Sequence, residues 1–96
     1  MKHLDRLAED SVREAIESVV KSGKRAHSGS VPPEAERLLR GKMRGRLAET
    51  EAAVQVKRAV ERLGSRKTIK APQAKYTDWA VLDKPTSAND SGETGT

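Results

Sequence analysis

The chain has 96 residues, no cysteine and a hydrophobic content of 34%, which is low for a globular domain. Nineteen Lys and Arg residues against fourteen Asp and Glu residues give a formal net charge of +5. These totals limit the chain to one small domain and exclude disulfides, thiolate zinc sites and cysteine nucleophiles. The basic excess indicates an anionic partner, such as nucleic acid, an anionic membrane surface or an acidic protein.

Residues 3–22 are predicted to form an amphipathic helix. Apolar residues recur at three- to five-residue spacing and therefore share one helical face. They are Leu4, Leu7, Val12, Ile16 and Val19. Asp5 and Glu9 lie near the N-terminal end, where the helix dipole favours acids, and Gly23 is a natural C-terminal stop. Residues 23–32 are predicted to form a loop, because glycine, serine and proline interrupt the periodicity.

A long second helix is predicted from Pro33 to about Leu63, with Gly64 as its stop. Its apolar residues form two stripes that face different directions. The first stripe contains Leu39, Met43, Leu47 and Val54, and the second contains Ala52, Val56, Ala59, Val60 and Leu63. Either two different surfaces meet this helix, or the helix bends or breaks between Gly45 and Ala53.

The remaining sequence predicts no further helix. Residues 67–84 are predicted to be a basic linker followed by an aromatic and apolar island, whose alternation suits a short strand or an extended peptide. Residues 85–96 are polar and are predicted to be disordered. The predicted fold class is all-α. A helical hairpin over residues 1–66, made of the short amphipathic helix, the loop and the long helix, carries a flexible C-terminal arm.

The segment from Arg37 to Arg46 carries five basic residues and no acid. Long cationic side chains on one accessible helix face neutralise phosphates and release their counterions. A second basic group covers the end of the long helix and the linker. The predicted nucleic-acid-binding residues are Arg37, Arg40, Lys42, Arg44, Arg46, Arg66, Lys67 and Lys70. The alternative for both groups is a solvated polar surface. In that case the aliphatic parts of the Lys and Arg side chains shield apolar neighbours.

The island from Tyr76 to Leu82 contains both aromatic residues of the chain, which has no Phe. Trp and Tyr are enriched at binding hot spots, and a short apolar motif in a tail can occupy a groove or extend a sheet. The predicted partner-binding residues are Tyr76, Trp79, Val81 and Leu82. The alternative is that Trp79, Val81 and Leu82 cover the exposed apolar stripe of the chain's own helices.

The sequence contains no motif typical of an enzyme, a phosphate-binding loop or a metal site. His3 and His27 are far apart and lack carboxylates at ligand spacing. We therefore predict a non-enzymatic protein without cofactor or metal, located in the cytoplasm, with no membrane association and with self-association, most simply as a dimer.

Three functional hypotheses follow from these features. The first is a nucleic-acid-associated regulatory or accessory protein that binds phosphates through its basic helix face. The alternative is a protein-binding adaptor, inhibitor or antitoxin-like module that uses the tail motif from Tyr76 to Leu82. A third hypothesis, a helical subunit of a larger assembly, is not separated from the second by any feature of the sequence.

Overall fold

The computed structural model describes residues 3–70 and 78–82, and helices account for most of them. The helices are α1 (His3–Lys21), α2 (Val31–Lys42) and α3 (Glu49–Ser65). The prediction of a mostly helical protein is confirmed. The first predicted helix, residues 3–22, agrees with α1 to within one residue.

The long helix predicted from Pro33 to Leu63 is instead two helices, so the two-helix hairpin is not confirmed. Residues 43–48 separate α2 from α3. Arg44 and Gly45 in this connection have φ angles of 54° and 77°, in the left-handed region that a right-handed helix cannot contain. The second apolar stripe lies wholly on α3, whereas the first is divided: Leu39 lies on α2, Met43 and Leu47 lie in the connection, and Val54 lies on α3.

All three helices end with the same hydrogen-bonding pattern. The second residue beyond each helix has a positive φ, and these residues are Gly23, Arg44 and Lys67. The N–H of each donates to the carbonyl three residues back, and the next N–H donates to the carbonyl five residues back, at 2.9 to 3.2 Å. This is the Schellman motif, which satisfies carbonyls at the helix end that would otherwise lack partners.

Two short antiparallel strands, β1 (Ile69–Lys70) and β2 (Ala80–Val81), complete the described structure. Ile69 pairs with Val81 and Lys70 with Ala80. Ile69 is buried in the same core as the helices, so the described part of the predicted linker packs on the helical region. The predicted disordered tail, residues 85–96, lies outside the described residues.

The core lies between the three helices and the two strands. Many of its side chains are small, and they are Ala8, Ala15, Ala26, Ala35, Ala52 and Ala59. The larger aliphatic residues include Val12, Ile16, Leu39, Val56 and Leu63. Because alanines provide little apolar area, the aromatic ring of Trp79, which is 6% exposed, is a major part of this core.

Candidate nucleic-acid interface

Two basic residues of the predicted helix face form ion pairs that hold the helices together. Lys42 on α2 contacts Glu14 on α1 at 2.8 Å, and Arg40 contacts Glu49 at the start of α3 at 3.2 Å. Arg40 also donates from Nε to the carbonyl oxygen of Leu47 at 3.3 Å. The cationic groups of Lys42 and Arg40 therefore already have acidic partners, which phosphates would have to displace.

Arg37 forms a two-point contact with Glu34 on the same helix. Its Nη2 and Nε donate to the two carboxylate oxygens at 2.6 and 3.0 Å. The hydrogen bond from Arg37 is the main reason that the pKa of Glu34 lies below its ordinary value; burial opposes this effect, and the charge of Arg37 adds to it. Arg37 is still 68% exposed at its side chain, so this ion pair leaves it accessible to solvent.

Arg44 and Arg46 lie in the connection between α2 and α3, and both are exposed. Neither forms an ion pair with any residue in the described part of the chain. Arg44 is also the positive-φ residue that closes α2. The helix break thus moves these two cations off the continuous helical face that the sequence predicts and into an exposed turn.

The second predicted basic group is divided in the same way. Arg66 and Arg62 contact the two carboxylate oxygens of Glu9 at 2.7 and 2.6 Å, and the Glu9 side chain is only 9% exposed. Lys67 and Lys70 are exposed, and neither has an ion pair with a residue that the structure describes. Arg66 therefore joins α3 to α1, whereas the two lysines face solvent.

Glu9 shows how burial and charge compete in this cluster. Burial raises the pKa of its carboxyl, but the hydrogen bonds and positive charges of Arg66 and Arg62 together outweigh burial and leave the pKa lowered. A buried carboxylate with two guanidinium partners is well suited to joining two helices. Sequence spacing gives no sign of it, because Glu9 and Arg62 are 53 residues apart.

The described part of the tail motif packs on the protein itself. Trp79 is buried, and Val81 packs against the core. Of the predicted partner-binding residues, only Leu82 is mainly exposed among those described, at 57%, and Tyr76 lies outside the described residues. Trp79 and Val81 thus pack on the chain's own helices, as in the alternative interpretation, whereas Leu82 does not.

An apolar cleft lies beside this docked segment and was not predicted from the sequence. Ile16 and Val20 of α1 form one wall, and Trp79 and Val81 form the other. Val20 lies outside the predicted apolar stripe and is 56% exposed. The only sequence signal for the cleft is that Val20 directly follows Val19, which places one apolar side chain outside the buried face of α1.

Neither histidine belongs to a cluster of ligands. His3 is exposed at the start of α1, and the Nδ1 atom of His27 accepts a hydrogen bond from the N–H of Gly29 at 2.9 Å. Within residues 3–70 and 78–82, no group of three or more His, Asp or Glu side chains is arranged to hold a metal ion. No helix in these same residues has the length and apolar character needed to cross a bilayer.

Comparisons of the chain with protein-family models, curated proteins and solved structures give no match.

Proposed function

We propose that the protein is a small, non-enzymatic, nucleic-acid-associated regulatory or accessory protein that binds phosphates with basic side chains at the ends of α2 and α3. The main contacts are Arg44 and Lys67, and Arg46 and Lys70 lie close to them in the chain. All four side chains are exposed and lack an acidic partner among the described residues. Cations of this kind neutralise phosphates without first breaking an internal ion pair.

The observation that carries the proposal is the backbone conformation of Arg44 and Lys67. They are the positive-φ residues other than glycine in the described chain, and both are basic. The left-handed backbone conformation costs a residue that has a Cβ about 1–2 kcal/mol, whereas glycine adopts this conformation freely. The equivalent position after α1 is Gly23. Arg44 and Lys67 thus occupy positions where glycine would be more stable, which favours a use for their charge.

The helix dipole offers a competing explanation. A cation close to a helix C-terminus is stabilised by about 0.3–1 kcal/mol at an exposed site. This stabilisation by the dipole is generally smaller than the cost of the left-handed conformation. The dipole alone therefore does not account for basic residues in place of glycine at both positions. Phosphate binding by these side chains supplies the additional reason.

The other predicted contact residues have a secondary role in this proposal. Arg37, Arg40, Lys42 and Arg66 are engaged with Glu34, Glu49, Glu14 and Glu9. Exposed ion pairs are worth only about 0–1 kcal/mol, so a phosphate can compete for the accessible Arg37. The side chain of Lys42 is 25% exposed, which makes it a poorer contact.

The proposal is tested by the salt dependence of binding. Fluorescence anisotropy with labelled duplex DNA, single-stranded DNA and duplex RNA would be measured over a series of NaCl concentrations. The plot of log K against log salt for the wild type should be linear and steep. In the double variant Arg44→Gly/Lys67→Gly, its slope should fall by about 2, or about 1 for each lost phosphate contact.

This double variant also separates binding from folding. Because glycine suits both positions, the variant should be at least as stable as the wild type in urea, and weaker binding then reflects the missing charges. The matched control is Lys57→Gln/Arg58→Gln, which removes the same charge from the exposed face of α3. Equal losses in the two double variants, or no binding by the wild type at low salt, would overturn the proposal.

A further inference from the structure

The cleft between α1 and β2 has a volume of about 410 Å³ and opens to solvent. Its walls are formed by Ile16 and Val20 on one side and by Trp79 and Val81 on the other. Val20 is 56% exposed, and Leu82, which directly follows β2, is 57% exposed. Leu82 does not line the cleft, so Val20 is the large apolar side chain that is left mainly exposed in its wall.

The strand that borders the cleft also has an outer edge that is only partly covered in the described chain, where the N–H of Trp79 donates to the carbonyl oxygen of Ala26. The N–H of Leu82 donates to the carbonyl oxygen of Thr68 at 2.8 Å, and Ala80 pairs with Lys70. Because peptide groups alternate in direction along an antiparallel strand, those of Val81 point away from β1. The sheet has only two strands among the described residues, so no third strand covers this edge.

The charges at the cleft favour a second copy of the chain as its occupant. Glu17 and Lys21 both line it, one helical turn apart on α1. Both are exposed, and neither forms an ion pair with another described residue. A partner surface of a single charge sign would attract one of them and repel the other. A second copy related by a two-fold axis satisfies both, because Glu17 of each copy then faces Lys21 of the other.

We propose that this cleft is a self-association surface, on which α1 of one copy lies antiparallel to α1 of a second copy. The exposed Val20 side chains of both copies are buried in the contact, and the two Glu17–Lys21 pairs flank them. Such an interface has the usual arrangement of an apolar centre with a polar rim. The proposal does not depend on phosphate binding, since none of these residues is among the proposed phosphate contacts at the ends of α2 and α3.

The oligomeric state tests the proposal directly. Sedimentation equilibrium of the full chain over micromolar to millimolar concentrations should show a reversible monomer–dimer equilibrium for the wild type. Val20→Asp should raise the dissociation constant at least tenfold, because it places a charge in the apolar centre. The control Val54→Asp changes a valine on α3 that is 41% exposed and does not line the cleft, and it should leave the dissociation constant unchanged.

A charge exchange tests the arrangement of the two copies. Glu17→Lys and Lys21→Glu should each weaken association, since each creates two like-charged pairs across the two-fold axis. The double variant Glu17→Lys/Lys21→Glu should restore it, because the pairs are then reformed with their signs reversed. Circular dichroism checks that each variant keeps its helix content. A wild type that stays monomeric, or a double variant that stays as weak as the single variants, would overturn the proposal.

Discussion

Trp79 and Ala26 are joined by a hydrogen bond in which the backbone N–H of Trp79 donates to the carbonyl oxygen of Ala26 at 2.9 Å. The bond connects the residue that precedes β2 to the loop between α1 and α2. An ion pair between Arg25 and Asp78 lies beside it, formed by the residues directly preceding Ala26 and Trp79. Two adjacent contacts thus fix the position of the indole over the helices.

Substitutions of Trp79 should separate the contribution of its ring from that of its indole N–H. Trp79→Ala should lower the free energy of unfolding by about 3–5 kcal/mol, as for other large aromatic residues in cores. Trp79→Phe should cost clearly less, because the buried Nε1 has no hydrogen-bond partner in the described structure and Phe removes this unsatisfied donor. Urea unfolding followed by circular dichroism measures both values. Equal destabilisation by the two variants would contradict the prediction.

The emission of Trp79 gives a second test of its burial. It is the only tryptophan, so the fluorescence of the native protein reports this position alone. We expect a blue-shifted spectrum that moves to the red on unfolding in urea. A spectrum that is already red in the native protein would show that β2 is undocked in solution.

Single substitutions at the helix ends should have opposite effects. Arg44→Gly should raise the free energy of unfolding by about 0.5–1 kcal/mol, because it removes a Cβ from a left-handed position while losing a cation near the helix end. Gly23→Ala should lower it by about 1 kcal/mol for the converse conformational reason. Thermal or urea unfolding measures both changes. An unchanged or lower stability of Arg44→Gly would show that its charge contributes more to the fold than its conformation costs.

Gly29 should tolerate a methyl group poorly. A Cβ at this position would lie 2.8 Å from Cε1 of the His27 ring. The ring must move, which weakens the hydrogen bond from the Gly29 N–H to Nδ1, and we expect a loss of about 1 kcal/mol. Gly41→Ala is the matched control, because an added Cβ there meets no atom within 4 Å and helix propensity should make it neutral or stabilising. Similar losses in the two variants would contradict this account.

Acid should weaken the contact between α1 and α3 through Glu9. The pKa of Glu9 is lower in the folded protein than its ordinary value of 4.5, as Arg66 and Arg62 outweigh the effect of burial. Its stabilisation is therefore complete above pH 4.5 and is lost as the pH falls through the lowered pKa of the folded state. Glu9→Gln should lower stability by about 1.5–3 kcal/mol at neutral pH and reduce the fall toward acid.

Urea midpoints between pH 2 and 7 measure this effect of Glu9. The pKa of Glu34 is also lowered, chiefly by its hydrogen bond with Arg37, so its protonation contributes with the same sign. The double variant Glu9→Gln/Glu34→Gln should therefore show the flattest acid dependence. A Glu9→Gln variant that follows the wild-type curve at every pH would rule out this role for the cluster.

The local sequence predicts the first helix closely and the second only in part. The end of α1 follows from Gly23, since glycine adopts the left-handed conformation that stops a helix. The left-handed residue that follows α2 is Arg44, a residue type that does not mark a helix end. The change in direction of the apolar stripes indicates a break between Gly45 and Ala53, but α2 already ends at Lys42.

Contacts between distant residues account for what the sequence does not predict. The basic residues are identifiable from the sequence, but their partners are not, because Glu14 and Lys42 are 28 residues apart and Glu9 and Arg66 are 57 apart. The docking of Trp79 similarly depends on Ala26, which becomes its neighbour only after the helices pack. The folded structure is therefore needed to distinguish basic residues that form internal ion pairs from those that face solvent.

The attachment of β2 also has a consequence for how the protein opens locally. Each strand is only two residues long. The described backbone hydrogen bonds of residues 78–82 include one from Trp79 to Ala26 and one from Leu82 to Thr68. Segments with few backbone bonds open more readily than packed helices. We expect the amide of Trp79 to exchange with deuterium well before those in the middle of α1. The indole would then reach solvent in a rare state in which all three helices remain folded.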